Sequence, residues 1–379
     1  MMKLALVTHF YPAHRGGVEI AAYNIALELS RTGEIEITWC SADCDKPPLN
    51  DENFQSIPLK SSNIIEKLLP FPYPLIFPGS ILKLFKIIQK SDLVLIHDFL
   101  YMSNILAFIF AKVSRKKIIL TQHIGFIPYK NPVLRFILTI LNKSLGRFML
   151  SKSDATIFIS QNVMKYFSNI CRKTNNFHFI PNPTDTNIFR VFDETERIIA
   201  REKYVLKRFT FLFVGRFTEK KGLPVIKEIA EDFPDCDFIF AGWGAIDPTD
   251  WRLDNVQVLE GLTGEKIAEL YNAADVLILP SYGEGFPLVV QEALACGLDI
   301  IVSREIVNAS PQITEHTSVI YDEDLQTEEF VVMIKKYINE YQYSLENRLE
   351  KSNFASNLWN SENNRERYLK VINNITKST

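Results

Sequence analysis

The feature that most constrains the fold of this chain is the alternation of short apolar segments with helix-forming segments. One such alternating series runs through each half of the sequence. In the first half, residues 3–8 and Leu93–His97 predict strands, and residues 18–31 predict a helix. The alternation restarts at residues 210–214 in the second half. The other predicted strands are 35–40, 117–121, 155–159, 237–241, 256–259, 276–279 and 300–303. Strands that alternate with helices in this way predict an α/β protein with two Rossmann-like domains, each built on a doubly wound parallel sheet.

Two prolines within residues 180–183 stop regular structure between the two halves, so we place the domain boundary there. The predicted domains are residues 1–181 and 182–359, followed by a helical segment at about 360–379. The length of 379 residues suits two domains of ordinary size. In open parallel sheets, ligands bind at the carboxyl ends of the strands. We therefore expect the functional site in a central cleft that both domains face.

Composition and cysteine usage indicate a cytoplasmic protein. Hydrophobic residues make up 47% of the chain, but no apolar run reaches the length of a membrane span. The first residues contain no apolar segment long enough for a signal peptide. The five cysteines are scattered and form no paired zinc or disulfide pattern. No cofactor or structural metal is predicted.

Positive charge is concentrated in residues 60–152, which hold 14 Lys and Arg against three Asp and Glu. Because these basic residues alternate with Leu, Ile and Phe, the region predicts peripheral contact with an anionic membrane at the inner face of the cell membrane. The alternative is a set of amphipathic helices whose lysines face water. Nucleic acid is not expected as a partner, since the aromatic residues lie in apolar runs and form no stacking platform.

Two glutamates eight residues apart, Glu284 and Glu292, mark the strongest candidate site. A predicted strand precedes Glu284, and Gly283 and Gly285 allow a sharp turn and close approach of a ligand to the backbone. Pro287 suits the first position of a helix that would carry Glu292 in its second turn. The free N–H groups of such a helix favour an anionic or hydroxyl-rich ligand. The alternative is a strand–loop–helix unit with two solvated acids.

Four further motifs each follow a predicted strand. Arg216 and Lys221 could clamp a diphosphate, since arginine offers a planar fork and lysine a point charge. Paired glycines at 16–17 precede a helix and could approach a phosphate, although the spacing is not that of a dinucleotide-binding loop. His123, and more weakly His97, could donate a hydrogen bond to a sugar hydroxyl. The fourth motif, Gly242-Trp243-Gly244, is a turn or one side of a base-binding site.

Together these residues resemble the family 4 glycosyltransferases, which have the GT-B fold. The resemblance spans nearly the whole chain and rests on Tyr11-Pro12, Gly16-Gly17-Val18-Glu19, Thr121-Gln122-His123, Pro181-Asn182, Gly215-Arg216, Lys221-Gly222, Gly242-Trp243-Gly244 and the segment from Asp275 through Glu284-Gly285-Phe286-Pro287 and Glu292-Ala293 to Gly297. The chain departs from the family pattern at Pro183-Thr184-Asp185, where Gly-Val-Asp is common, and at Asp299, where proline is common.

The resemblance implies a metal-independent, retaining transfer of a sugar from a nucleotide-diphosphate sugar. It implies that residues 1–181 bind the acceptor, that residues 182–359 bind the donor, and that the C-terminal helix packs back on the first domain. The implied catalytic residues are His123, Glu284, Arg216 and Lys221. The implied donor-binding residues are Gly16, Gly17, Arg216, Lys221, Gly242, Gly244, Glu284, Gly285, Phe286, Pro287, Leu288 and Glu292.

Within the donor, Arg216 and Lys221 would hold the diphosphate, Glu284 the sugar hydroxyls and Glu292 the ribose hydroxyls. The preferred acceptor is a lipid-linked glycan intermediate of cell-surface polysaccharide assembly. Hydrolysis by two carboxylates would leave the diphosphate clamp unexplained. Two functions without catalysis stay open: a nucleotide-sugar-binding subunit, and a membrane-recruited partner of another transferase.

Overall fold

The computed structural model describes residues 1–14, 16–65, 73–126, 131–322, 324 and 327–377. The chain forms two compact units. Unit 1 comprises Met1–Pro183 together with Ser361–Thr379, and unit 2 comprises Thr184–Asn360. Parts of the basic region 60–152, namely residues 66–72 and 127–130, lie outside the described residues.

Unit 1 is built on a seven-stranded parallel sheet. The strands of this sheet are β1 (Met2–Val7), β2 (Ile35–Ala42), β3 (Phe54–Leu59), β6 (Leu93–His97), β7 (Lys117–Gln122), β8 (Ala155–Phe158) and β9 (Phe177–Phe179). Two further strands, β4 (Ser61–Ser62) and β5 (Leu75–Ile76), pair with each other in a separate antiparallel sheet. The strand order in the sheet is β3-β2-β1-β6-β7-β8-β9. The order reverses at β1 and β6, so polar residues after these two strands meet at the point where such sheets bind ligands.

The helices of unit 1 cover both faces of this sheet. They are α1 (Gly17–Ser30), α2 (Pro78–Lys90), α3 (Met102–Val113), α4 (Pro132–Leu141), a π-helical turn (Asn142–Gly146), α5 (Arg147–Lys152) and α6 (Gln161–Ile170). One of the two apolar cores of unit 1 lies between the sheet and α1. The other lies on the opposite face, against α2, α3 and α6.

The last helix of the chain completes the core beside α1. Helix α14 (Ser361–Lys377) buries Tyr368, Val371 and Ile372 in this core. The Tyr368 hydroxyl lies 3.3 Å from the Thr121 hydroxyl, and the Asn364 amide donates to the Pro181 carbonyl. Unit 1 is therefore assembled from both ends of the chain.

Unit 2 contains a six-stranded parallel sheet in the order β12-β11-β10-β13-β14-β15. Its strands are β10 (Thr210–Phe217), β11 (Asp237–Gly244), β12 (Val256–Leu259), β13 (Val276–Leu279), β14 (Asp299–Ser303) and β15 (Thr317–Tyr321). Its helices are α7 (Glu194–Lys203), α8 (Leu223–Asp232), α9 (Glu265–Ala273), α10 (Leu288–Ala295), α11 (Arg304–Ala309), α12 (Thr327–Glu340) and α13 (Leu345–Trp359). The order reverses between β10 and β13.

The predicted fold class is confirmed, and three strand predictions (93–97, 256–259 and 276–279) match the structure at both ends. Strands β3, β9 and β15 of the two large sheets, and the two strands β4 and β5 of the small antiparallel sheet, were not predicted. Helix α3 leaves Ile109 and Val113 exposed. Among the described helices, none has the length and the apolar run that crossing a bilayer requires.

Strands β10 and β11 run three residues further than predicted. Gly215 pairs with Gly242, and Phe217 pairs with Gly244. A Cβ atom on Gly242 would lie 1.9 Å from the Gly215 carbonyl oxygen, so only glycine allows the two strands to continue side by side. Consequently Arg216 and Trp243 lie within the strand ends, and the prediction that they follow their strands is wrong.

Candidate functional site

The candidate site of unit 2 lies where the sheet order reverses. The loop after β10 and the loop after β13 come from neighbouring strands and touch. The Tyr282 N–H donates to the Lys220 carbonyl at 2.9 Å. Gly222 adopts a left-handed conformation (φ 80°) against Pro280, whose carbonyl oxygen would lie 2.5 Å from any added Cβ. The two predicted motifs of this half therefore form one surface, because their loops are bonded to each other.

The two loops bring a lysine of the predicted clamp onto the first glutamate. The Lys221 Nζ lies 2.9 Å from Glu284 Oε1, and the Lys220 Nζ lies 3.7 Å from the same oxygen. Burial would raise the pKa of Glu284, but the two lysines outweigh it and hold the pKa below its usual value. Glu284 is therefore ionised at neutral pH, and Lys221 is held beside it.

Arg216 projects from the end of β10, two residues before the turn that leads to Lys221. Its side chain is half-buried. Among the described residues, no carboxylate lies within ion-pair distance of its guanidinium. The positive charge of Arg216 is thus available to an anionic ligand, whereas that of Lys221 is shared with Glu284.

A carboxylate that the sequence did not reveal holds the Glu284 loop in place. Glu305, in the first turn of α11, accepts the N–H of Gly283 at 2.9 Å and the N–H of Glu284 at 3.1 Å. Gly283 itself is in the left-handed region (φ 67°), which explains the glycine. No sequence motif surrounds Glu305. It reaches the Glu284 loop because that loop follows β13 and α11 follows β14, the neighbouring strand.

Helix α10 starts at Leu288, directly after the Glu284 loop. Pro287 precedes the helix, so its predicted place at the first helical position is off by one residue. No side-chain hydrogen bond from Pro287 caps the helix, and its first N–H groups lack intrahelical partners. Phe286 is buried, with its ring 5.5 Å from that of Trp359. Gly285, Phe286 and Leu288 therefore supply backbone N–H groups from a well-packed segment, whereas Pro287 has none.

The second glutamate lies in α10 and is bonded to a tyrosine from the neighbouring helix. The Tyr271 hydroxyl in α9 donates to Glu292 Oε2 at 2.9 Å. Burial raises the pKa of Glu292 to about 7, although the hydrogen bond from Tyr271 opposes this shift. The two glutamates thus differ in charge state: Glu284 is ionised, and Glu292 titrates near neutrality.

A buried arginine joins the carboxyl-terminal ends of the two helices that carry this pair. Arg348 in α13 donates to the carbonyls of Tyr271 and Ala274 at the end of α9, and to that of Cys296 at the end of α10. A cation is favoured at helix carboxyl ends, where carbonyl groups lack partners. Arg348 therefore fixes α9 and α10 relative to each other, and with them Tyr271 and Glu292.

Asp299, where the family commonly has proline, lies at the amino ends of the strands, on the side of the sheet away from the site. It starts β14 and is bonded to Lys351 and, at 2.6 Å, to the Tyr337 hydroxyl. Because the site lies at the carboxyl ends of the strands, this substitution serves the packing of α12 and α13 and leaves the site residues untouched. In the part of the chain that the structure describes, no group of three or more His, Cys, Asp and Glu side chains could hold a metal ion.

In unit 1, His123 lies in a buried polar cluster after β6 and β7. Its Nε2 is 2.9 Å from Nδ1 of His97, and its backbone N–H donates to Asp98 Oδ1. Burial lowers the pKa of His123 to about 3, and it raises the pKa of Asp98 to about 6. His123 is therefore neutral over the physiological pH range, and it can act as a hydrogen-bonding group without carrying charge.

The paired glycines at 16–17 stand at the start of α1, and the buried side chains of Glu19 and His9 contact each other beside Gly16. Glu19 Oε1 is 2.8 Å from Nε2 of His9, and a Cβ on Gly16 would lie 2.1 Å from Glu19 Oε2. Burial raises the pKa of Glu19, but His9 outweighs it and the net shift is downward. Gly16 thus leaves room for the Glu19 carboxylate that contacts His9.

The geometry of unit 2 defines what its site can bind. Two cations and a helix amino terminus suit an anion. An ionised carboxylate at the same place suits hydroxyl groups, and a second carboxylate lies further along the helix. The arrangement therefore matches a ligand that carries both phosphate and hydroxyl groups.

Two family models match most of the chain. "Glycosyltransferase Family 4" matches residues 15–188, and "Glycosyl transferases group 1" matches residues 194–354. An uncharacterized glycosyltransferase of Methanocaldococcus jannaschii is 24% identical over 80% of this chain and 81% of its own length. The N,N'-diacetylbacillosaminyl-diphospho-undecaprenol alpha-1,3-N-acetylgalactosaminyltransferase of Campylobacter jejuni is 28% identical over 46% of this chain and 48% of its own length.

Among solved structures, HepE of Anabaena in complex with UDP and glucose has a similar fold. The TM-score is 0.76 with 15% identity, and the match covers 98% of this chain and 99% of HepE. The two parallel-sheet units described above are those of the GT-B fold. The family models and the fold agree, and the chain belongs to the family 4 glycosyltransferases.

Proposed function

We propose that this protein is a retaining glycosyltransferase that moves a sugar from a nucleotide-diphosphate sugar to a hydroxyl group of an acceptor. The observation that carries the proposal is the junction of Lys221 with Glu284 beside the amino terminus of α10. A diphosphate requires cations and backbone N–H groups, and a sugar requires a hydrogen-bond acceptor; this junction offers all of them within two adjoining loops.

In this proposal, the donor lies along unit 2 from its sugar to its ribose. Arg216 and Lys221 bind the diphosphate, together with the N–H groups of Gly285, Phe286 and Leu288. Glu284 accepts hydrogen bonds from the sugar hydroxyls, and Glu292 accepts them from the ribose. The assignments of Gly16 and Gly17 to the donor, and of His123 to the donor sugar, rest on the family resemblance and stay predictions.

Transfer proceeds on one face of the sugar. The bond between the anomeric carbon and the leaving phosphate oxygen breaks, and the acceptor oxygen forms its bond on the same side. The acceptor proton passes to the leaving diphosphate oxygen. Arg216 and Lys221 stabilise the negative charge that develops there, and the residues around Glu284 orient the sugar, so positioning and electrostatics supply most of the rate.

The proposed acceptor is a lipid-linked glycan intermediate in the assembly of a cell-surface polysaccharide, bound by unit 1 at the cytoplasmic face of the membrane. Two observations support this choice. The Campylobacter relative is named as acting on a diphospho-undecaprenol-linked sugar. The region 60–152 of this chain carries 14 basic residues against three acidic ones, which favours an anionic surface.

Turnover of a nucleotide sugar by the purified chain tests the proposal. UDP-glucose is the first probe, since UDP and glucose occupy HepE, and a thermal-shift screen of other nucleotide sugars extends it. We expect the matching donor to raise the melting temperature and to be hydrolysed slowly without acceptor. Binding without any hydrolysis or transfer would support a non-catalytic binding subunit, and absence of binding by every nucleotide sugar would overturn the proposal.

Glu305 provides a prediction for the donor loop. Replacement of Glu305 with alanine leaves the N–H groups of Gly283 and Glu284 without their carboxylate, so the loop loses its fixed conformation. Because small displacements of positioning groups are costly, we expect kcat/KM for the donor to fall by about 10- to 100-fold. Steady-state kinetics with the matching donor measure this change.

Two variants separate this effect from a general loss of stability. Glu305→Gln keeps one acceptor oxygen and should lie between the wild type and the alanine variant. Arg304→Ala removes the neighbouring exposed side chain, which pairs with Asp322 at the surface, and should leave the kinetics unchanged. Wild-type kcat/KM in the alanine variant would show that Glu305 does not position the loop.

The pKa of Glu292 predicts a pH dependence of donor binding. Burial raises this pKa to about 7, so the free protein binds a proton at Glu292 below that pH. A protonated carboxyl accepts hydrogen bonds from the ribose less well, and donor affinity should therefore rise with pH through about 7 and then level off. Calorimetry with the nucleotide sugar measures this affinity at each pH, and the diphosphate of the nucleotide sugar does not itself titrate in this range. Glu292→Gln should bind weakly with a flat profile; a profile equal to that of the wild type would contradict the assignment.

A further inference from the structure

Helix α4 of unit 1 presents an apolar face to solvent. Val133, Phe136, Ile137 and Ile140 are between 47% and 66% exposed. Their spacing places them on one side of the helix. In a helix that serves only to cover a core, residues with this spacing are buried, whereas α4 has no buried residue at all. The apolar stripe of α4 therefore faces away from the core of unit 1.

The stripe continues beyond α4 in a segment of the sequence whose charged residues are all positive. Phe148 in α5 is also exposed, two helical turns after Ile140. Arg135 and Lys143 lie exposed on the same stretch. The chain contains no Asp or Glu between Asp98 and Asp154, but it contains nine Lys and Arg there. This segment thus combines exposed apolar side chains with cations and contains no acidic residue of its own.

We propose that α4 is a membrane-docking helix, which lies in the interface of an anionic bilayer with Val133, Phe136, Ile137 and Ile140 inserted among the lipids. Such helices lie parallel to the membrane, with the apolar face in the lipid and basic residues at the headgroups. The acid-free segment favours this occupant over a second copy of the chain, since two copies would bring like charges together. The proposal refines the membrane contact in the proposed function to one helix.

Vesicle flotation with the full chain tests the proposal. The probes are vesicles of phosphatidylcholine alone and of equal parts phosphatidylcholine and phosphatidylglycerol. We expect binding to the anionic vesicles to exceed binding to the neutral ones by on the order of tenfold or more, and to weaken with salt. Replacement of Phe136 and Ile137 with serine should reduce binding to the anionic vesicles by on the order of tenfold or more at unchanged net charge.

The chain offers a matched control for these serine substitutions. Ile198 and Ile199 in α7 of unit 2 are similarly exposed, and their replacement with serine should leave vesicle binding unchanged. Phe136→Trp should keep binding, and its fluorescence should shift to shorter wavelength on anionic vesicles. This conservative variant reports on insertion even if the serine variant folds poorly.

Three outcomes would overturn the proposal: no binding of the wild-type chain to anionic vesicles, equal loss with the α7 control, or a dimer in solution that the α4 substitutions dissociate. Donor hydrolysis in the absence of vesicles is measured in parallel, since it tests the proposed function separately. If the Phe136 and Ile137 serine variant loses vesicle binding but still hydrolyses the donor, α4 is the docking element. If the wild-type chain does not hydrolyse any donor, only the proposed enzymatic function is contradicted.

Discussion

Replacing both Arg216 and Lys221 with alanine should reduce kcat/KM for sugar transfer by on the order of 10³-fold or more. Each side chain is proposed to stabilise the leaving diphosphate, and removal of one such group from a preorganised site typically costs on the order of 10²-fold or more. Arg216 has no described anionic partner, so its whole charge is available to the ligand. Transfer or donor hydrolysis, measured at saturating acceptor or with water, gives the loss directly.

The lysine needs a separate control, because Lys221 also neutralises Glu284 at 2.9 Å. Its removal leaves a largely buried carboxylate that has Lys220 as its one remaining cationic partner among the described residues, which costs stability as well as activity. Adding Glu284→Gln to the Lys221 variant restores stability without restoring the clamp. Lys227→Ala, which changes an exposed lysine in α8, should have no effect. Near wild-type turnover by the Arg216 and Lys221 double variant would refute the diphosphate clamp.

Replacing Arg348 with methionine should lower the free energy of unfolding of the protein by about 2–4 kcal/mol. The substitution keeps much of the side-chain volume but leaves the buried carbonyls of Tyr271 and Cys296 without the Arg348 donor, whereas Ala274 keeps its hydrogen bond from Arg197. Each unpaired buried carbonyl costs about 1–3 kcal/mol. The methionine itself recovers part of this, because burying a guanidinium is also unfavourable.

Chemical unfolding followed by fluorescence measures this effect, with Arg304→Met as the control. Arg304 is exposed and pairs with Asp322 at the surface, so its replacement should change the free energy of unfolding by less than about 0.5 kcal/mol. Equal stability of the Arg348 variant and the wild type would mean that water replaces the guanidinium at the helix ends. A folded Arg348 variant should also bind the donor less tightly, since α9 and α10 would no longer hold Tyr271 against Glu292.

Much of the fold could be predicted because the central strands carry their own signal. Leu93–His97 and Val276–Leu279 are continuous apolar runs between polar turns, as expected for strands buried on both faces. The strands that were missed lie toward the sheet edges, where burial is incomplete. Phe54–Leu59 contains a proline and two polar residues, and Thr317–Tyr321 begins with two hydroxyl residues. Their strand structure depends on the neighbouring strand more than on their own composition.

The site could be predicted only where a motif marked it. Glu284 and Lys221 are far apart in the sequence, yet each follows a strand, and the sheet topology brings them together. Glu305 and Tyr271 could not be found in this way. Both lie within helices, and their roles depend on which helix lies beside the loop or beside α10. That information comes from the tertiary structure, because the sequence around a glutamate or tyrosine inside a helix does not show which neighbouring element the side chain contacts.

The position of α14 in unit 1 has a consequence for synthesis of the protein. All of unit 2 is made after Pro183 and before Ser361, so it emerges from the ribosome as one continuous segment and can complete its core immediately. Unit 1 begins to form first, but the places of Tyr368, Val371 and Ile372 stay empty until the last helix has emerged. The half of the protein that is translated first is therefore the half that is finished last.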